Sequence, residues 1–204
     1  ARPGLTVSNS GLLDVVAQSS AYGVRLGQYG SFTNTGTIRV EGSGLAVGMY
    51  GIGTTSATNS GSIVVVNRTG ISVGMEILSD NLIFSNSGLI QADMAVQVGT
   101  YFFGQGISFN NSGDLRGGVA LSSGADVFVN TGLISGLVAL GQGADRFEGA
   151  GTIGDLRING GAGNDQIVAG AGNDVLEGGA GNDTLSGGGG TNTAIFSGTS
   201  TSYS

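Results

Sequence analysis

The chain is 204 residues long with a formal net charge of −7, and it holds no cysteine, histidine, tryptophan or lysine, so every basic residue is an arginine. Absent cysteine excludes disulfide staples and thiolate metal sites; absent histidine removes the commonest general base and zinc ligand, which excludes Ser-His-Asp hydrolysis and zinc chemistry within this chain. Forty-two glycines beside a single proline, with 39% hydrophobic residues, exclude a collagen-like chain or a proline-rich linker and are compatible with a packed core.

In chain order, the opening Ala1-Arg2-Pro3-Gly4 reads as the edge of a longer polypeptide. A phrase Asn-x-Gly-x-(Ile/Leu) then recurs, starting at Asn9, Asn34, Asn59, Asn86, Asn111 and Asn130, and a copy at Gly149 has lost its asparagine. The intervals are 25, 25, 27, 25, 19 and 19 residues. A companion phrase with apolar residues at i and i+2 follows each copy: 24–26, 45–47, 71–73, 96–98, 119–121 and 138–140. Alternation of that kind marks short strands that show one face to a core. Many short strands at a fixed period, separated by turn residues and without a helical pattern, specify a solenoid in which stacked coils build one continuous core. Parallel strands stack at about 4.8 Å, so roughly nine coils give a rod on the order of 40 Å long. Asparagine repeating at one bend predicts a ladder of stacked side chains, since its amide satisfies backbone groups in adjacent coils.

Charge is uneven along the chain. From residue 121 onward, eight acidic residues face only Arg146 and Arg157, which argues against nucleic-acid binding and predicts self-repulsion until cations arrive. No apolar run approaches membrane-spanning length, and no amino-terminal secretory signal is visible. The acidic residues of the first 120 positions, from Asp14 to Asp114, are scattered over different coils, as are the arginines. No constellation with assignable catalytic roles emerges, so the expectation is a chain that is not an enzyme. Tyr29, Tyr50 and Tyr101 follow the companion strands at similar offsets, and stacked coils would align them as an aromatic row that either packs against neighbouring aromatics at a coil corner or meets a surface polysaccharide or host glycan.

Between Gly160 and Gly190 a nine-residue phrase occurs three times, as GGAGNDQIV, AGAGNDVLE and GGAGNDTLS, and a fourth copy, GGGGTNTAI, keeps the glycines without the aspartate. Glycines allow tight turns, one aspartate per turn supplies hard anionic oxygen, and one aliphatic (Ile167, Leu176, Leu185) anchors a very short strand. Oxygen-only ligands of this type select Ca²⁺ before Mg²⁺. Two nonapeptides make 18 residues, close to the preceding 19, so the helix passes into the nonapeptide region without a linker. Asp126, Asp145, Asp165 and Asp183 lie 19, 20 and 18 apart, as rungs on one edge would; Asp155, Asp174 and Asn192 lie 19 and 18 apart, as rungs on the opposite edge would.

The run resembles the repeats-in-toxin (RTX) family, whose nonapeptide builds a calcium-loaded parallel β-roll, and the long coils resemble the parallel β-helices of bacterial surface and polysaccharide-acting proteins. The resulting expectation is an all-β chain: a right-handed parallel β-helix over 1–140 that tapers into a calcium-binding β-roll over 141–204, the two being continuous. The resemblance implies that ions lie between turns stacked on the same edge. Asp165 and Asp183 then share one, with carbonyls of Gly161, Gly163, Asn164, Gly179, Gly181 and Asn182 around it. On the other edge the turn of Gly170, Gly172, Asn173 and Asp174 faces Gly188–Asn192, where Asn192 in place of aspartate weakens the site. Asp145 with Asp165 forms a further candidate, and Asp155 a poorer one, as no glycine-rich turn precedes it. The resemblance also implies export in an unfolded state, folding in extracellular calcium, an export signal beyond Ser204 and flanking coils of a longer parent chain. The runner-up reading is an auxiliary or carbohydrate-binding module of a polysaccharide lyase or epimerase.

Overall fold

A computed structural model describes residues 4–99, 104–149 and 154–197. Its ordered elements are strands, and every strand pairing is parallel, so the chain folds as an all-β parallel solenoid. Among the described residues no helix is long and apolar enough to cross a membrane.

One sheet carries a single short strand from each coil, running from Thr6–Asn9 through Ser31–Asn34, Ser56–Asn59, Ile83–Asn86, Ser108–Asn111, Val127–Asn130, Arg146–Glu148 and Gln166–Val168 to Thr184–Ser186. Its register is unbroken, which superimposes one inward position from every coil: Val7, Phe32, Ala57, Phe84, Phe109, Phe128, Phe147, Ile167 and Leu185. Phe84 stacks on Phe109 with ring centroids 4.4 Å apart, Phe109 on Phe128 at 4.2 Å, and Phe147 meets Phe128 edge-on at 5.1 Å. Each of these buried side chains contributes roughly 1.5–3 kcal/mol by leaving water. The aromatic column continues through Phe128 and Phe147 and gives way to Ile167 and Leu185 in the nonapeptide coils.

Two residues past that column stands the asparagine ladder. Asn9 Nδ2 donates to Asn34 Oδ1 at 2.8 Å, Asn34 to Asn59 at 2.7 Å, Asn59 to Asn86 at 2.8 Å, Asn86 to Asn111 at 2.8 Å and Asn111 to Asn130 at 2.6 Å. Each Nδ2 of Asn34, Asn59, Asn86 and Asn111 also donates to the carbonyl two residues on, at 3.1–3.4 Å. The amide suits this position because it has a donor and an acceptor at opposite ends, so every rung satisfies the next. From Asn34 to Asn130 the rungs are buried.

The second sheet explains the taper. In the 25-residue coils it has two faces: Leu12–Val16, Thr37–Gly42 and Ser62–Asn67 form one, while Ala21–Leu26, Ala46–Ile52 and Ser72–Leu78 form another. Leu89–Gly99 joins them as one strand, pairing with Ser62–Val64 through its first residues and with Val73–Leu78 through its last, with register irregularities between Gln91 and Val96. Asp93 sits at that bend and is clamped by Ser72, whose N–H and Oγ approach its Oδ2 at 2.9 and 2.8 Å. Those hydrogen bonds hold the Asp93 carboxyl below its usual range. Asp114–Ala120 pairs with both parts of the Leu89–Gly99 strand, and Leu133–Ile134 carries the first part on by one more coil. Leu137–Gln142 pairs with Asp114–Ala120 on one side and with Arg157–Ala162 on the other, so the ladder crosses residue 140 without interruption.

Two register expectations need correction. Val24 aligns with Met49, Met75 and Val96, so the companion phrases at 45–47 and 71–73 fall on a different part of the third face from those at 24–26 and 96–98. The tyrosine row does not form either: Tyr50 stands between Arg25 and Glu76, and Tyr29 donates its backbone N–H to Gly53, while Tyr101 lies outside the described residues. Tyr50 instead packs edge-on against Tyr22, with the Arg25 guanidinium 5.1 and 5.2 Å from the two ring centroids.

Candidate metal centre

The glycine-rich turns stack on the two edges where the sheets meet. On one edge lie the turns ending in Asp145, Asp165 and Asp183, and the strands that follow them (Arg146–Glu148, Gln166–Val168, Thr184–Ser186) pair residue for residue. Backbone conformation repeats with them. Gly141, Gly161 and Gly179 have φ of 109°, 106° and 103°, and Gly143, Gly163 and Gly181 have φ of 129°, 140° and 135°. These are left-handed values that L-side chains rarely adopt. A second constraint acts at the same residues: a Cβ on Gly179 would overlap the carbonyl oxygen of Gly161, one on Gly161 that of Gly141, and one on Gly181 that of Gly163. Glycine is therefore required twice over, and what occupies the freed space is a row of carbonyl oxygens directed from each coil toward the next.

Into the same gaps reach the carboxylates. Asp165 Oδ1 accepts the backbone N–H of Asp145 at 2.9 Å, and Asp183 Oδ1 accepts that of Asp165 at 3.0 Å, so each aspartate leans back onto the preceding coil. Gly160 and Gly178 are bare for a matching reason, since a Cβ on either would collide with the carboxylate of Asp165 or Asp183. Asp165 and Asp145 are 2% exposed, yet the Oδ2 of each is buried with no hydrogen-bond partner. Burying an unpaired anionic oxygen is among the costliest arrangements a fold can contain. Burial pushes the Asp145 carboxyl up to about 7, against the backbone N–H of Asp126 and with help from the charges of Asp126 and Asp165. Asp165 is raised by burial too, and by Asp183.

On the opposite edge Asp174 Oδ1 accepts the N–H of Leu156 at 2.8 Å, and Asn192 Oδ1 accepts that of Asp174 at 2.9 Å. Asp174 Oδ2 is again buried and unpaired. Here the expected rung at Asp155 is corrected. Arg157 is in register with Val175, which makes Leu156 the counterpart of Asp174, and Asp155 instead accepts the N–H of Asn173 at 2.7 Å. Its carboxylate does the work of Asn173 Oδ1, which accepts from Thr191 at 2.9 Å, and of Asn164 Oδ1, which accepts from Asn182 at 2.8 Å. The Asn164 and Asn173 side chains are thus turn-to-turn links, leaving their carbonyls for a ligand. Gly170 and Gly172 do align with the following turn, as a Cβ on Gly188 or Gly190 would overlap their carbonyl oxygens.

Among the described residues no three acidic side chains converge on one point. Each gap offers at most two carboxylates and otherwise carbonyl oxygen, the donor set of a hard cation with high coordination number. The unpaired Oδ2 atoms and the carbonyl rows fit Ca²⁺ in both charge and ligand type.

Fold and turns together define a parallel β-solenoid ending in stacked glycine–aspartate turns. Residues 159–194 match the family model of the RTX calcium-binding nonapeptide repeat in four copies, and these repeats bind Ca²⁺. They are structural rather than catalytic units. No match to the chain is found among curated proteins or among solved structures.

Proposed function

We propose that the chain is a calcium-binding structural segment of a secreted or surface-displayed bacterial RTX-type protein, which folds and stiffens on meeting extracellular Ca²⁺. Its parts are a parallel β-helix over 1–140 and a calcium-dependent roll over 141–204. The observation that carries this reading is the buried, unpaired Oδ2 of Asp165, set in a gap already bordered by carbonyl oxygens. Asp165 and Asp183 would hold one ion with carbonyls of Gly161, Gly163, Asn164, Gly179, Gly181 and Asn182. Asp145 and Asp165 would hold another, and Asp174 with Asn192 a weaker one, drawing on carbonyls of Gly170, Gly172 and Asn173. When bound, calcium supplies the positive charge that offsets stacked carboxylates; the protein supplies the spacing and excludes water. Without the ion these coils bury uncompensated charge, so metal binding and folding are one event. Circular dichroism during a calcium titration tests this: β signal should rise with a midpoint on the order of 10⁻⁴–10⁻³ M, the range of extracellular calcium modules. A spectrum indifferent to calcium and chelator would refute it.

A further inference from the structure

The carboxylate row does not stop where the matched repeats begin. Asp145 Oδ1 accepts the backbone N–H of Asp126 at 2.8 Å, and Asp126 Oδ1 accepts that of Ile107 at 2.8 Å, the same backward lean as at Asp165 and Asp183. The turn before Asp126 reads Leu121-Ser-Ser-Gly-Ala-Asp126, which keeps one glycine of the repeat and lies outside residues 159–194. Its backbone nonetheless follows the repeats. Gly124 has φ of 123°, and Ser123 pairs with Gln142, which sets Ser122 against Gly141 and Gly124 against Gly143. A Cβ on Gly141 would overlap the Ser122 carbonyl oxygen, and one on Gly143 that of Gly124. Two carbonyls are therefore directed into the gap below this coil, as from Gly161 and Gly163 one coil and more downstream.

The Ser122 carbonyl accepts the Gln142 N–H at 2.9 Å, but three side-chain oxygens of these turns are unsatisfied. Asp126 is 1% exposed and Asp145 2%, and the Oδ2 of both is buried without a partner. The contact of Asp145 Oδ1 with the Asp126 backbone holds that carboxylate against the Asp126 turn. Ser122 Oγ is buried and unpartnered at the same turn. These three orphaned oxygens belong to two adjacent turns whose carbonyls are aligned, in a chain with no lysine and with Arg146 half-exposed against Glu148, so no protein cation compensates them among the described residues.

We propose that the gap between the Asp126 and Asp145 turns is a further divalent-cation site, held by the two carboxylates, the Ser122 and Gly124 carbonyls and the Ser122 hydroxyl. The calcium row thereby extends into the β-helix half and ties it to the roll. Ile107 bounds the row, since the coil above offers no carboxylate at that position. The inference rests on the calcium reading of the repeats, and ion counting separates the two. Bound Ca²⁺ per chain is counted by equilibrium dialysis in the unaltered chain and in Asp126→Asn, Asp126→Leu and Asp183→Asn. Asn keeps the acceptor for Ile107 N–H, as Asn192 does for Asp174, and leucine already stands at the equivalent place at Leu156. The Asp126 variants should lose one ion, or bind one at least tenfold more weakly, with circular dichroism in saturating calcium unchanged for Asp126→Asn. Ion count and affinities unaltered by either Asp126 substitution, while Asp183→Asn loses an ion, would overturn this inference and leave the repeats as calcium sites. No bound calcium in the unaltered chain would overturn the underlying reading, and this one with it.

Discussion

The two ends of the solenoid solve one problem with two side chains that differ by an amide for a carboxylate. In the long coils an interior asparagine hands its Nδ2 hydrogen to the Oδ1 of the next rung, so each interior rung uses both its donor and its acceptor. In the short coils an interior aspartate takes a backbone N–H on Oδ1 and has nothing to give, so its Oδ2 is left over. An asparagine column is complete as a polypeptide, whereas an aspartate column is complete only with a cation. The solenoid thus carries a metal-independent column at one position of its coils and a metal-dependent one at another, and the two overlap in the coil that holds both Asp126 and Asn130.

Core substitutions sharpen the contrast most. Phe109→Ala removes a ring stacked on both sides and should destabilise the long coils by about 3–5 kcal/mol, equally with and without calcium, as read from chemical denaturation. A loss that calcium repaired would contradict the separation of the two regions. Next in size, Asn59→Ala breaks the bonds to Asn34 and Asn86 and strands their partners in the interior. The expected cost is about 2–4 kcal/mol, again without calcium dependence. A cost below about 0.5 kcal/mol would mean that the ladder is incidental.

Acidity should act only on the aspartate end. Burial raises Asp126 to about 6, opposed by the Ile107 N–H, and raises Asp145 to about 7. Carboxyls whose folded values lie above the unfolded one favour the fold when protonated, so their contribution is fully present below about pH 4 and is lost as pH rises through about 7. Calcium-free protein should therefore melt at higher temperature at pH 5 than at pH 8. Calcium-loaded protein should show the reverse, because protons displace the ion. Calcium-free melting that ignores pH across this range would break the comparison. The smallest effect belongs to Asp155→Asn: its Oδ1 acceptor survives the change, so calcium affinity should stay within twofold by titration. A loss of one ion would return Asp155 to the ligand set.

Periodicity made most of this legible in advance. Repeated Asn-x-Gly phrases announced both the coil length and the asparagine ladder, and aspartates 18–20 apart announced the edge bearing Asp145, Asp165 and Asp183. The aromatic column is no part of the sequence expectations, although a phenylalanine two residues before Asn34, Asn86, Asn111 and Asn130 spells it out. Asp155 falls off the row because the 19-residue step of the coils above does not continue. Two nonapeptides make 18, and 18 residues before Asp174 stands Leu156. The third face of the long coils could not be counted from phrases alone, since Leu89–Gly99 merges two faces into one strand without a turn residue to mark the change.

Hydrogen exchange read by mass spectrometry, with calcium and then with excess chelator, tests the contrast between the two ladders directly. Amides of residues 159–194 should lose their protection when calcium is withdrawn, while those of 31–111 keep theirs. Protection that persists over 159–194 without calcium, or that vanishes from both regions together, would contradict it.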